Sequence, residues 1–381
     1  MYKNLIIRDR SLLDINSELE HLHTFNNVPA SMACTTQSNT NDILMDQIWD
    51  ICRNTGLIQL RKLFPLELVY KFAHNDGIGK VWENHDKALN KFISKLNIKN
   101  ILEIGAGTGR LGKLFLSNHP DSIWAGLEPN YVYDKIDMPN FIHYREWFDS
   151  NYIIKEKYDA IIHSHVLEHS YEPVNFLKTI YKQIDNDTFH IFSIPNLFYF
   201  VQKKFTNVLN FEHTLFLTEE ILDILLEQIG FRTIEKCYYD ELPCIFFACK
   251  KTTPKQVTYS SSIYQKNKDI FLDFINFYKN EVDILNKKIK NFDGDIFLFG
   301  GHVFSQFLIF NGLKIDRIKC ILDNSKMKQN NRLYGTDFTV KSPEILSTYD
   351  KAAVILKTAA YNNEIKQHIL QNINKNIIFW E

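Results

Sequence analysis

Asn100-Ile101-Leu102-Glu103-Ile104-Gly105-Ala106-Gly107-Thr108-Gly109-Arg110-Leu111-Gly112 decides how the chain folds. The apolar run ending in Glu103 reads as a buried strand, and it breaks into glycines at alternate positions. Beyond Gly109, Leu111-Gly112-Lys113-Leu114-Phe115-Leu116 carries a helical apolar pattern. Strand, glycine-rich turn and helix open a nucleotide-binding α/β unit. Missing Cβ atoms let backbone approach a ligand, and the helix N-terminus adds partial positive charge. The spacing is G-x-G-x-G, not the G-x-G-x-x-G of a dinucleotide loop. The next apolar run, Ile123-Trp124-Ala125-Gly126-Leu127, ends in Glu128, about 20 residues past the turn.

Around this centre the text alternates in the doubly wound manner. Strands are expected near 100–105, 123–128, 141–145, 158–163 and 188–194, with helices near 109–118 and 172–185. A last helix near 218–229 opens on Thr218, Glu219 and Glu220 and stops at Gly230. Runs at 233–239 and 244–250 pattern as a closing hairpin, which completes a seven-stranded Rossmann-like α/β sheet. Upstream, Val81, Trp82, Leu89, Phe92, Ile93 and Leu96 recur at helical spacing. Residues 1 to about 60 lack clear periodicity and are expected to form short helices and loops. Past Thr252-Thr253-Pro254, a long amphipathic helix (262–290) leads to Ile296-Phe297-Leu298-Phe299-Gly300-Gly301-His302. Further strands ending at Asp323, at 353–357 and at 377–380, with a helix at 361–372, predict a second Rossmann-like α/β domain. The expected division is 1–80 as a helical or irregular segment over the cofactor site, 81–252 as the cofactor domain, and 253–381 as a substrate-cleft domain.

The formal net charge of −1 over 381 residues, with basic residues scattered, gives no nucleic-acid footprint. No apolar run is long enough to span a membrane, and the N-terminus lacks an apolar signal core. Cys34, Cys52, Cys237, Cys244, Cys249 and Cys320 are dispersed without a C-x-x-C pair. That predicts reduced thiols, a cytoplasmic protein, and no metal site.

The turn with Glu103 before it and Glu128 after it resembles motif I of class I S-adenosylmethionine (SAM) methyltransferases. The resemblance implies that Glu103 meets the cationic methionine end of SAM and Glu128 the ribose hydroxyls. Gly105, Gly107 and Gly109 would lie under the cofactor, and S-adenosylhomocysteine would be the product. Trp147 and Phe148 follow the third strand, where a side chain can flank adenine, and His165 and Tyr70 are placed at the cofactor as well. Methyl transfer needs alignment and, where the acceptor keeps its proton, a base; histidine titrates near working pH. His213, beside Glu212 on a loop facing the cofactor, is the leading candidate, with His169 its neighbour after strand four. Asn196 lies at the carboxyl end of strand five, where substrates of such sheets bind.

The chain further resembles the sugar C-methyltransferases, which act on nucleotide-linked deoxysugars. Tyr70 to His85 is similar to that family's Tyr- and His-bearing segment, Asn210 to Leu217 to its E-H-x-x-x-F loop, and Ile296 through Asp323 to Ser342-Pro343-Glu344 to its C-terminal domain. The resemblance implies a nucleotide-sugar substrate of cell-surface glycan synthesis, contacted by His74, His85, Gly301 and His302. Two departures stand out. Only Cys52 falls where the family opens with a four-cysteine zinc site, so no zinc is expected, and Asn210 replaces a tyrosine before the histidine. An O- or N-methyltransferase on the same frame, or a non-catalytic module using the fold for binding, are the alternatives.

Overall fold

The computed structural model describes residues 5–69, 79–129, 138–207 and 209–381. In chain order come strands β1 (Leu19–Pro29), β2 (Leu44–Cys52) and β3 (Ile58–Leu60), then helix α1 (Lys80–Ser94). The central unit runs β4 (Asn100–Ile104), α2 (Arg110–Asn118), β5 (Ile123–Leu127), β6 (Phe141–Tyr144), β7 (Ala160–Ser164), α3 (Pro173–Gln183) and β8 (Phe189–Pro195). It continues with α4 (Leu197–Gln202), β9 (Leu215–Phe216), α5 (Glu219–Ile229), β10 (Phe231–Tyr239) and β11 (Cys244–Lys251). The seven-stranded sheet has the order β10-β11-β8-β7-β4-β5-β6, with β11 antiparallel to both its neighbours. This is a Rossmann-like, mostly parallel α/β sheet. Each expected strand of the core appears, because strands buried on both faces read as continuous apolar runs.

The N-terminal region departs from expectation. In place of short helices, β1, β2, β3 and β9 form an antiparallel sheet in the order β9-β3-β2-β1. Bulges between His21 and His23 and between Phe25 and Val28 break the period-two pattern of β1, which hid the strand. Trp49 and Ile51 of β2 are nevertheless fully buried. The β9–β3 ladder pairs Leu215 with Gln59, so the stretch after His213 is held as an edge of this sheet.

Helix α6 (Ser261–Asn291) joins this sheet to the C-terminal domain. Phe271 lies 5.9 Å from Trp49 and 5.6 Å from Phe216, and Phe274 lies 5.9 Å from Phe307 of the C-terminal domain. The helix passes so close to the turn at Gly56 that a Cβ there would meet the Tyr264 amide nitrogen at 2.7 Å. The C-terminal domain comprises β12 (Asp295–Phe299), α7 (Val303–Phe310), β13 (Ile318–Leu322), β14 (Val340–Lys341), β15 (Ala352–Ile355), α8 (Asn362–Asn372) and β16 (Ile378–Trp380). Its parallel sheet has the order β14-β13-β12-β15-β16. Among the described residues no helix is long and apolar enough to cross a membrane.

Within the central sheet, His163 and His190 are fully buried and face each other, Nε2 to Nε2, at 3.0 Å. Burial holds both below the usual imidazole range, His190 at about 3. Both rings stay neutral in the folded protein, whereas unfolded imidazoles take up protons as pH falls below about 6.5. The stability they contribute is therefore present above that pH and lost on acidification. Thermal melts should show the melting temperature falling from about pH 7 to about pH 5. A His163→Leu/His190→Leu protein should show a smaller fall; an equal fall would show that the pair does not set the acid limb.

Candidate functional site

The glycine turn is tied to the strand beside it. The Gly105 and Ala106 amides donate to the Leu127 carbonyl at 2.8 and 3.2 Å, and the Gly107 amide donates to Glu128 Oε2 at 3.1 Å. Gly105, Gly107 and Gly109 have φ of 73°, 51° and 68°, the left-handed region that glycine enters without strain. A Cβ on Gly105 would meet Val166 Cγ2 at 2.6 Å, so that face of the turn is wedged against the residues after β7. A Cβ on Gly107 meets nothing within 4 Å among the described residues, so the opposite face is open. An open glycine turn between two carboxylates fits the cationic, hydroxyl-bearing SAM.

Glu103 is buried and accepts a hydrogen bond from Trp124 Nε1 at 2.9 Å. Burial pushes its carboxyl up to about 8, against the Trp124 bond. Just past the turn, Arg110 pairs with Asp86, whose other oxygen lies 3.3 Å from His85 Nδ1. His85 Nε2 reaches the Ser193 hydroxyl at 3.0 Å.

The loop after β7 gathers the histidines. His165 has φ 53°, an unusual conformation for a non-glycine residue. Its Nδ1 lies 3.2 Å from Glu168 Oε1 and its Nε2 3.3 Å from Cys244 Sγ. Burial opposes charge on this ring, but Cys244 and Glu168 outweigh it and raise it to about 10. Glu168 is fully buried; despite burial, His165, His169 and His213 hold it below the usual carboxylate range. His169 and His213 have ring centroids 4.6 Å apart, and His169 Nδ1 is buried with no hydrogen-bond partner among the described residues. Burial, followed by repulsion from His169, lowers His213 to about 4.

The loop carrying His213 is shaped by Asn210. Its Oδ1 accepts from the Glu212 and His213 amides at 2.8 and 2.9 Å, an Asx turn that sets the direction of the imidazole. Glu212 is buried beside it. From the N-terminal segment, Arg8 Nη1 donates to the Thr214 carbonyl at 3.0 Å and Nη2 to the Tyr171 carbonyl at 2.7 Å. That clamps the His213 loop to the segment after His169.

The other expected residues scatter. Trp147 is 55% exposed, while Phe148 packs at 5.1 Å on Phe176. Asn196 accepts from the Tyr199 amide as the cap of α4. The Gly301 amide donates to Asp323 Oδ2 at 2.8 Å, and Cys34 from the N-terminal segment donates to the Gly301 carbonyl. His302 is half-buried and lies 6.1 Å from Phe304, which reaches Tyr361 at 6.3 Å. Tyr361 lies near Trp82, whose ring is 4.9 Å from His165, so aromatic side chains of the two domains meet here. Tyr70 and His74 lie outside the described residues. Sequence reading missed Glu168, Cys244, Arg8 and Tyr361. Only Glu168 carried a signal: it lies between the two histidines already singled out.

Residues 80–236 match a family model described as "Methyltransferase domain". This part of the chain is thus a methyltransferase domain. Among solved structures it is similar to the Burkholderia thailandensis 1,6-didemethyltoxoflavin-N1-methyltransferase (15% identity, 46% of this chain, 82% of that one, TM-score 0.36). It is also similar to human N-acetylserotonin methyltransferase (15%, 46% and 53%, TM-score 0.37) and to the N-methyltransferase NodS of Bradyrhizobium japonicum (12%, 46% and 99%, TM-score 0.34). The chain spans about half the length of the human enzyme. No curated protein matches the sequence.

Gly105→Ala should place a methyl group against Val166 in a left-handed conformation and cost about 1–3 kcal/mol of stability. Denaturant unfolding should show this loss, and Gly105→Ala/Val166→Ala should recover only the steric part. A wild-type unfolding midpoint in Gly105→Ala would contradict the wedge.

Proposed function

We propose that this SAM-dependent methyltransferase methylates a hydroxyl of a nucleotide-linked sugar held between the core and the C-terminal domain, with His213 as general base. The observation that carries the reading is the His213 site: a neutral, half-buried imidazole on a loop clamped by Asn210 and Arg8, against His169 and beside Glu168. SAM supplies an electrophilic methyl group on a sulfonium. The protein's tasks are to align the acceptor and receive its proton. The contact of Asn210 Nδ2 with His213 Nδ1 is 3.4 Å, too long to lock one tautomer. We assign to the His213 imidazole the receipt of the hydroxyl proton as the oxygen–methyl bond forms.

The low proton affinity of His213 favours oxygen over carbon. A hydroxyl can lose its proton as its oxygen attacks, so a weak base suffices. A carbon acid must be deprotonated first, which asks for a stronger one. Asn210 in place of the related family's tyrosine agrees with that choice. The aromatic row of Trp82, Tyr361 and Phe304, with His302 beside it, supports an acceptor with flat apolar faces and many hydroxyls. In Glu103 and Glu128 we place the grips on the methionine and ribose ends of SAM.

Two measurements test this. A panel of nucleotide sugars incubated with SAM in deuterium oxide should give one product with an added methyl group and no deuterium at carbon. His213→Gln should lower kcat by about 10²–10⁴-fold with SAM affinity unchanged. Deuterium at carbon, or full activity in His213→Gln, would overturn the proposal. The second concerns pH. Glu103 is mostly protonated near neutrality, and a cationic ligand needs its carboxylate form. SAM affinity should therefore rise as pH climbs through about 8, with proton release on binding, and Glu103→Gln should abolish the dependence. Calorimetry in buffers of different ionisation enthalpy reads both; a flat wild-type profile would contradict the assignment.

A further inference from the structure

His85 on α1, His165 after β7 and Cys244 at the start of β11 converge from three elements, with their ligand atoms within 4.8 Å of one another. We propose that these three side chains bind a zinc-class divalent cation, leaving a fourth position for water or another ligand. The inference goes beyond the methyltransferase reading and does not depend on it.

The donor chemistry selects the metal. One thiolate and two imidazoles suit zinc and its borderline-soft neighbours, not magnesium or calcium, which take oxygen. The spacing fits as well. Zinc bonds of about 2.0–2.1 Å to nitrogen and about 2.3 Å to sulfur, at a tetrahedral angle, put the two donor atoms about 3.5 Å apart. His165 Nε2 and Cys244 Sγ are 3.3 Å apart, and the His85 and His165 rings have centroids 5.2 Å apart at 65°.

Both histidines are also oriented from behind. His165 Nδ1 meets Glu168, and His85 Nδ1 meets Asp86, which Arg110 holds in turn. A carboxylate behind each imidazole fixes the ring and leaves Nε2 for the metal, an arrangement that recurs at zinc sites. Cys244 is 1% exposed and His85 fully buried, so the donors are held in packed elements. Binding replaces two contacts, His85 Nε2 with the Ser193 hydroxyl and His165 Nε2 with Cys244. The proton that His165 Nε2 and Cys244 Sγ hold between them leaves to solvent as both atoms bind the metal. Nothing in the spacing of positions 85, 165 and 244 announces such a site, and it shares no residue with the four-cysteine arrangement the sequence lacks.

The test uses the full-length protein, treated with chelator, dialysed and titrated with cobalt(II). The expected result is saturation at about one equivalent, a thiolate-to-cobalt charge-transfer band in the near ultraviolet, tetrahedral ligand-field absorption, and displacement of cobalt by zinc. Cys244→Ser should abolish the charge-transfer band, Cys237→Ser should keep it, and Glu168→Gln should weaken binding by about 10–100-fold. Circular dichroism checks that each variant is folded; if Cys244→Ser is not, His165→Gln replaces it and should abolish stoichiometric binding. A wild-type protein without a thiolate–cobalt band, a band that survives in Cys244→Ser, or undiminished binding in His165→Gln overturns the proposal.

Discussion

A backbone amide given to the carboxylate that ends the next strand is the constraint on which the molecule is built. Gly107 donates to Glu128, while Gly105 fixes the turn on the Leu127 carbonyl. The C-terminal domain repeats the arrangement: Gly301 donates to Asp323, while Gly300 bonds the Leu322 carbonyl at 2.8 Å. In each case a chain lacking Cβ turns sharply over the sheet, and an acid satisfies an amide the turn would otherwise leave unpaired. The two turns differ in what lies above them. Gly107 faces open space, whereas Gly301 is buried with Cys34 and Val340 against it. The same local device thus leaves one turn open to a ligand and ties the other to the N-terminal segment.

The second organising feature is a buried anion. Glu168 is fully buried among His165, His169 and His213, and a carboxylate in that position costs several kcal/mol unless positive or polar groups meet it. His165 answers with a charge of its own, shared with Cys244, while burial keeps His213 neutral. Two imidazoles that meet one carboxylate from separate loops are thereby held in opposite protonation states. That separation lets the loop after β7 serve a charged donor cluster on one side and a neutral proton acceptor on the other.

How much of this was legible in the sequence depended on whether the information was local. The core strands were, because β4, β5, β7 and β8 are apolar runs that end where the ligand side begins. The N-terminal sheet was not: β1 reads Leu-Glu-His-Leu-His-Thr-Phe-Asn-Asn, and its identity comes from pairing with β2 rather than from its own pattern. At the site, the glycines and their two acids stood out through spacing. Cys244 and Tyr361 did not, since each comes from an element distant in sequence from the glycine turn. At Asn210 the sequence showed the residue but not the Asx turn that it makes.

The central claim is that SAM lies over the open glycine turn and is held there by the flanking carboxylates. Isothermal titration of SAM into wild-type protein and Glu128→Ala tests it most directly. Removing a charge-assisted hydrogen bond of about 1.5–3 kcal/mol should weaken binding by about 10–100-fold. Equal affinity in the two proteins, with both folded, would contradict the account.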